Sequence, residues 1–171
     1  MDIDEPGWTV IDDFFERLAE GRKPETRRRY ARVRLRLYDY LDVDDMTEWL
    51  GPDDATLLAV EREFLRVGAV WGLFGIDGVL RCLPGFLTED YLPTSAAEAR
   101  MQISVVDRFL LRLRTFHAVP AESVGRWVLA RRAAREARWD LETRLGTRPP
   151  SLQRAVDHID ARFRRRPGPQ W

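Results

Sequence analysis

The sequence is poor in the residues on which most catalytic and metal chemistry depends. Its 171 residues include one cysteine, Cys82, and two distant histidines, His117 and His158. A single cysteine excludes an intrachain disulfide framework and is typical of a reducing cytosol, so we predict a cytoplasmic location. Cys82 lies in an apolar run, which predicts a buried small side chain rather than a nucleophile. These residues also match no metal-ligand spacing.

Phosphate-binding and calcium-binding loops are missing as well. The glycines between 68 and 78 fit neither the P-loop motif nor the glycine motif of dinucleotide-binding domains. The acidic run Asp42–Asp45 lacks the glycine and the closing glutamate of a calcium loop. The sequence therefore predicts a protein that is not an enzyme, without catalytic residues, a metal ion or a cofactor.

No segment shows the strict alternation of a β-strand, and no internal repeat is present. Residues 1–20 are acidic, which disfavours a secretory signal. The apolar stretch 65–87 is long enough to suggest a membrane span, but it contains Arg66, Asp77 and Arg81 together with several glycines. Charges are costly inside a bilayer and glycine weakens a helix, so we predict a bent core segment and no membrane contact.

Apolar residues at spacings of three and four predict helices along most of the chain. The predicted helices cover 8–20, 25–41, 53–67, 95–116, 120–145 and 152–163, with a short helix or turn at 46–50 and one or two short helices within 68–92. The fold class is all-α, a compact bundle of about six to seven helices. Residues 1–118 should form the core, and 119–171 should add a long helix and a last helix packed on it, followed by a frayed basic tail.

Residues at two helix starts are predicted to act as caps. Asp53 or Asp54 can cap the helix that follows Pro52, since a short oxygen-bearing side chain accepts a free backbone N–H there. Glu98 is placed three residues after Ser95, which is the spacing of a capping box.

A net charge of zero conceals strong segregation of charge along the chain. The net charge is −6 over residues 1–21, +7 over 22–38, −8 over 39–122 and +7 over 123–171. Nearly all of the positive charge is arginine, since lysine occurs only at Lys23. Such segregation is typical of a binding surface, or of acidic and basic parts of a protein that meet.

The second helix and the long helix near the C-terminus carry most of these arginines. In the second helix, Glu25 can pair with Arg28 or Arg29, and in the long helix the expected pairs are Arg132–Glu136 and Arg138–Glu142. No acid lies at helical spacing from Arg32, Arg131 or Arg135. Either acids from 12–20 or 42–54 fold over the second helix, or the arginines bind phosphates. Trp127 and Trp139 allow stacking with Arg131 and Arg135.

The first two helices resemble a known family. The string Phe14-Phe15-Glu16-Arg17-Leu18, a short gap and Pro24-Glu25-Thr26-Arg27-Arg28-Arg29-Tyr30 resemble the N-terminal core-binding (SAM-like) domain of tyrosine recombinases, the phage-integrase type. The resemblance covers residues 8–44. It implies a small helical bundle that clamps duplex DNA, with Thr26 and Arg27–Arg29 near the phosphates. The recombinase catalytic domain is absent, because 123–171 is too short and contains no His-x-x-Arg.

Together these patterns predict a non-catalytic protein that binds nucleic acid, with duplex DNA as the expected partner. The expected contacts are Thr26, Arg27, Arg28, Arg29, Arg32, Arg36, Arg131, Arg135 and Arg138. The alternative is a helical scaffold, a homo-oligomer in which the acidic middle of one protomer meets the basic helices of another.

Overall fold

A computed structural model describes residues 7–65, 67–116 and 119–146, and this part of the chain is mostly helical. The helices are α1 (Gly7–Ala19), α2 (Pro24–Val43), α3 (Thr47–Leu50), α4 (Pro52–Phe64), α5 (Ala69–Cys82), α6 (Ala96–Phe116) and α7 (Val124–Arg144), with 3-10 turns at Gly85–Leu87 and Ala121–Ser123. The predicted all-α bundle is confirmed. The predicted last helix at 152–163, the basic tail, His117 and His158 lie outside the described residues.

Proline and glycine set the helix boundaries much as the sequence indicates. Pro24 and Pro52 stand at the starts of α2 and α4, where the missing N–H of proline costs nothing. Gly21 follows α1 with φ +66°, a left-handed conformation that glycine adopts without strain. The predicted cap of α4 is wrong: Gly51 precedes the helix without a side-chain cap, and Asp53 and Asp54 lie in the first turn.

The core is formed by one apolar side of each long helix. In α2 the buried residues recur at three and four, as the sequence predicts, and they are Tyr30, Val33, Leu37, Tyr40 and Leu41. The buried side of α7 is different, because three of its four buried residues are alanines at 130, 134 and 137. Small side chains at this spacing let α7 approach its neighbours closely.

Helix α6 lies between α2 and α7 and is antiparallel to both. Along α2, Tyr30 lies near Arg108 of α6, whereas Arg32 and Arg36 lie near Glu98. The other side of α6 meets α7, where the Trp127 indole donates to the Leu110 carbonyl (2.8 Å). Thus α2 and α7 run in the same direction along the two sides of one helix.

The apolar stretch predicted as a bent core segment forms α5 and the turn after it. Ala69–Leu87 is apolar and long enough to cross a membrane by length and composition alone, but half of it is buried within the bundle. The backbone leaves helical geometry at Gly75 (φ +58°). Its charged side chains bind other elements, since Asp77 accepts from Ser123 (2.8 Å) and Arg81 donates to Asp54 (2.6 Å).

Candidate nucleic-acid interface

The arginines on one edge of α2 turn toward α6. Arg32 and Arg36 contact the two carboxylate oxygens of Glu98, at 3.0 and 3.6 Å. Arg28 precedes Arg32 by one helical turn and therefore lies on the same edge. The counter-charge of Arg32 is thus Glu98 of α6, and not an acid from 12–20 or 42–54, which was one of the two alternatives. Glu98, which is predicted to complete a capping box on Ser95, contacts α2 with both of its carboxylate oxygens.

A second row of arginines follows the edge of α7 that faces α6. Arg131 donates to Asp107 of α6 (2.6 Å). Its guanidinium also lies 5.8 Å from the centre of the Trp127 ring, a contact that the sequence spacing allows. Arg135 and Arg138 follow Arg131 by one and two turns, so they continue along this edge. Both are exposed and form no ion pair within the part of the chain described. The predicted pair of Arg138 with Glu142 is absent there, while Arg132 does pair with Glu136 (2.7 Å).

Helix α6 supplies arginines that the sequence reasoning missed. Its only acids are Glu98 and Asp107, and both are engaged by arginines of the neighbouring helices. Arg108 is exposed, and its guanidinium donates to the Tyr30 hydroxyl at 3.5 Å. Arg114 is exposed as well, and its guanidinium lies 4.6 Å from the centre of the Trp127 ring. Neither forms an ion pair with another described residue.

The geometry of α6 places the rows on α2 and α7 at the two borders of one surface. Glu98 and Asp107 are nine residues apart, which is about two and a half helical turns, so they project from opposite sides of α6. The exposed strip of α6, which includes Arg108 and Leu111, lies between these two sides. We call the resulting surface the basic face. It consists of Arg28, Arg32 and Arg36 of α2, Arg108 and Arg114 of α6, and Arg131, Arg135 and Arg138 of α7.

The other predicted site residues lie outside the basic face, are half-buried or form an ion pair. Arg27 lines a shallow hollow beside α1 with Glu16 and Glu20, on a different side of α2 from Arg28. Thr26 is half-buried, and Arg29 pairs with Glu25. The structure therefore brings together most of the predicted arginines but separates Arg27 from them.

The largest pKa shifts belong to tyrosine and cysteine side chains that are buried or partly buried and lie apart from the basic face. Burial raises the pKa of the Cys82 thiol to about 12. Burial also raises the pKa of Tyr40, whose hydroxyl donates to the Cys82 carbonyl (2.8 Å). Among the described residues no three His, Cys, Asp or Glu side chains are grouped as metal ligands. Cys82 and Tyr40 are therefore packed in the core, whereas the charged groups of the basic face are arginines.

No family model matches the chain, and no curated protein or solved structure matches it.

The arginines of α6 are not evident when net charge is summed over a long segment of the sequence. Residues 39–122 carry a net charge of −8, although 100–114 contain four arginines and one acid. A short window of charge would have revealed α6 as a third basic helix. It would not have shown that α6 lies between the other two, because that follows from packing.

Proposed function

We propose that this protein binds duplex DNA through the basic face, by contacts to phosphates, and acts without catalysis in the cytoplasm. The observation that carries the proposal is the local excess of arginine over carboxylate. Glu98 and Asp107 neutralise part of the charge of Arg32, Arg36 and Arg131. The arginines of the basic face without an ion pair to a described residue are Arg28, Arg108, Arg114, Arg135 and Arg138.

The sharing of Glu98 adds to this excess. One carboxylate faces two guanidinium groups, so the cluster of Arg32, Arg36 and Glu98 keeps a positive charge. The side chain of Arg32 is 57% exposed, so it can reach an external anion without breaking the core. Arginine suits this role because its planar fork binds two phosphate oxygens at once.

The width of the basic face favours contact with the phosphate backbone over insertion into a groove. Packed helices lie about 8–10 Å apart, so a layer of three helices is wider than the roughly 12 Å major groove. Phosphate contacts position a protein without reading sequence. We therefore infer binding with little sequence preference.

The likeness of residues 8–44 to the core-binding domain of tyrosine recombinases supports the same partner. That resemblance implies duplex DNA near Thr26 and Arg27–Arg29. The arrangement of α2, α6 and α7 extends the proposed contact surface to the other end of the described chain. The same resemblance favours a role as an accessory protein in DNA recombination.

Replacing one arginine from each helix tests the proposal. The variant Arg28→Gln/Arg108→Gln/Arg135→Gln removes three charges that have no ion pair with a described residue, so we expect it to fold normally and to bind duplex DNA at least tenfold more weakly. Fluorescence anisotropy at low salt measures this affinity, with unfolding by urea as the check on stability. Single-stranded DNA and double-stranded RNA of equal length show whether duplex DNA is preferred.

A matched variant separates a defined surface from the effect of net charge. Arg17→Gln/Arg132→Gln/Arg144→Gln makes the same change in charge on residues outside the basic face, and it should leave affinity within about twofold. Equal weakening by both triple variants would contradict the proposal. Dissociation of an oligomer by the first variant, with no DNA binding by the parent chain at low salt, would favour the scaffold function instead.

A further inference from the structure

Trp127 lies where α7 meets α6, at the border of the basic face. Its indole N–H donates to the Leu110 carbonyl of α6 (2.8 Å), and its ring is half-buried against the core. A tryptophan that is packed on one helix and hydrogen-bonded to the next has little freedom to turn. The ring therefore provides a fixed flat surface between the two helices.

Arginines from both helices lie over this ring. The guanidinium carbon of Arg114 of α6 is 4.6 Å from the ring centre, and that of Arg131 of α7 is 5.8 Å from it. Both distances are within the range of a cation–π contact. Trp127 is thus a common contact of two cations of the basic face that come from different helices.

The two arginines differ in what they can offer to a ligand. Arg131 donates to the carboxylate of Asp107 (2.6 Å), and its side chain is only 17% exposed. Arg114 is exposed and forms no ion pair with a described residue. A guanidinium over an aromatic ring presents its face to the ring, which leaves the N–H donors in its plane available to a phosphate. Arg114 is therefore the member of this stack that can bind one.

Stacking also restricts Arg114 before a ligand arrives. A mobile arginine side chain loses rotational freedom when it is fixed on a phosphate, and this loss weakens binding. A side chain that already lies on a fixed ring has lost part of that freedom in the unbound protein. The stack on Trp127 therefore lowers the entropy cost of a phosphate contact by Arg114.

We propose that Trp127 is a positioning residue for DNA, which holds Arg114 with its donors available to the phosphate backbone. The proposal rests on the proposed binding of duplex DNA through the basic face, and it adds a preference to it. Single strands bind by stacking their bases on aromatic rings. The face of the ring that Arg114 covers is not open to a base, so Trp127 favours phosphates over unstacked bases.

A double-mutant cycle tests the positioning. Trp127→Leu removes the ring but no charge, and duplex DNA should bind about fivefold more weakly, which is the order of the entropy lost when one long side chain is fixed. In the Arg114→Gln background the same change should alter affinity by less than about twofold, because the ring then has no arginine of α6 to hold. Fluorescence anisotropy at low salt measures the four affinities.

Arg135 supplies the matched control. It lies eight residues after Trp127, about 12 Å along the helix axis, and it forms no ion pair with a described residue. Changes at sites this far apart usually have additive effects. Trp127→Leu should therefore weaken binding by the same factor in the Arg135→Gln background as in the parent chain.

A change on the exposed side of the stack tests the same point without altering the core. Arg114→Lys keeps the charge but replaces the flat guanidinium by an ammonium group, so it should weaken duplex binding by at least about threefold. Arg108→Lys is the control, because Arg108 donates to the Tyr30 hydroxyl, and it should weaken binding by less than about twofold. This pair decides the question if Trp127→Leu does not fold.

Three results would overturn the proposal while leaving DNA binding in place. The first is an equal effect of Trp127→Leu with and without Arg114, since Trp127 would then serve packing alone. The second is Arg114→Lys binding duplex DNA as tightly as the parent chain. The third is a greater loss of single-stranded than of duplex DNA affinity in Trp127→Leu, because the ring would then stack on bases. Absence of duplex binding by the parent chain would instead overturn the proposed function, and this inference with it.

Discussion

Gly85 is a position where the packing leaves no room for a side chain. A methyl group there would collide with the Tyr40 hydroxyl and the Trp49 indole nitrogen. Overpacking a well-filled core costs typically about 1–3 kcal/mol, so Gly85→Ala should lower the free energy of unfolding by this amount. Gly125→Ala is the control, because no neighbour lies within 4 Å of its Cβ. It should stabilise α7 by about 0.5 kcal/mol, and urea unfolding measures both changes.

Cys82 should behave as a core residue and not as a reactive thiol. It is fully buried, and burial raises its pKa to about 12, so the thiolate is scarce at neutral pH. Native protein should therefore react with a disulfide reagent at least a hundredfold more slowly than the same protein in guanidinium. Rapid modification without denaturant would show that α5 opens easily and would contradict this burial.

Single residues also show the limit of sequence reasoning. Burial of Cys82 and pairing of Arg132 with Glu136 follow from local patterns, and both are confirmed. The partner of Arg32 is Glu98, 66 residues along the chain, and helical spacing gives no access to such a pair. The partner of Arg131 is Asp107, on the helix before its own, for the same reason.

The positions of the helices could be predicted from the sequence better than the contacts of single residues. Apolar periodicity with proline and glycine boundaries predicted α1, α2, α6 and α7 closely, because each long helix buries one side. The predicted helix at 53–67 ends earlier, at Phe64, and its apolar residues Leu57, Val60 and Phe64 are exposed instead of forming core. Periodicity shows that a helix has an apolar side, but not whether the described fold covers it.

Helix α6 restrains the basic face through Glu98. Glu98→Gln would free Arg32 and Arg36 for phosphates, so duplex DNA should bind several-fold more tightly, and the salt dependence of binding should steepen by about one phosphate contact. The cost in stability should be small, about 0–1 kcal/mol, because Arg32 is largely exposed. Anisotropy titrations over a range of salt measure both effects. Unchanged or weaker binding would show that Arg32 and Arg36 do not reach the DNA.

For the whole molecule, the number of available arginines predicts how binding responds to salt. Each phosphate neutralised contributes about −0.9 to the slope of log K against log salt. Contacts by Arg28, Arg108, Arg114, Arg135 and Arg138 alone give a slope of about −4 to −5. Affinity should therefore fall by at least a hundredfold between 50 and 200 mM salt. A slope near zero would exclude phosphate contacts as the basis of binding.

The position of α6 between α2 and α7 also bears on how the chain folds. The contact of α6 with α7 is local, but Tyr30 of α2 and Arg108 of α6 are 78 residues apart in sequence. Closing a loop of that length is a slow, late event compared with pairing of neighbouring helices. The proposed DNA surface is thus complete only after the long-range α2–α6 contact has formed. A peptide of α2, or a fragment of α6 and α7, would carry arginines but would not place them on one surface. If DNA binds that surface, DNA should therefore stabilise the native state relative to partly folded states.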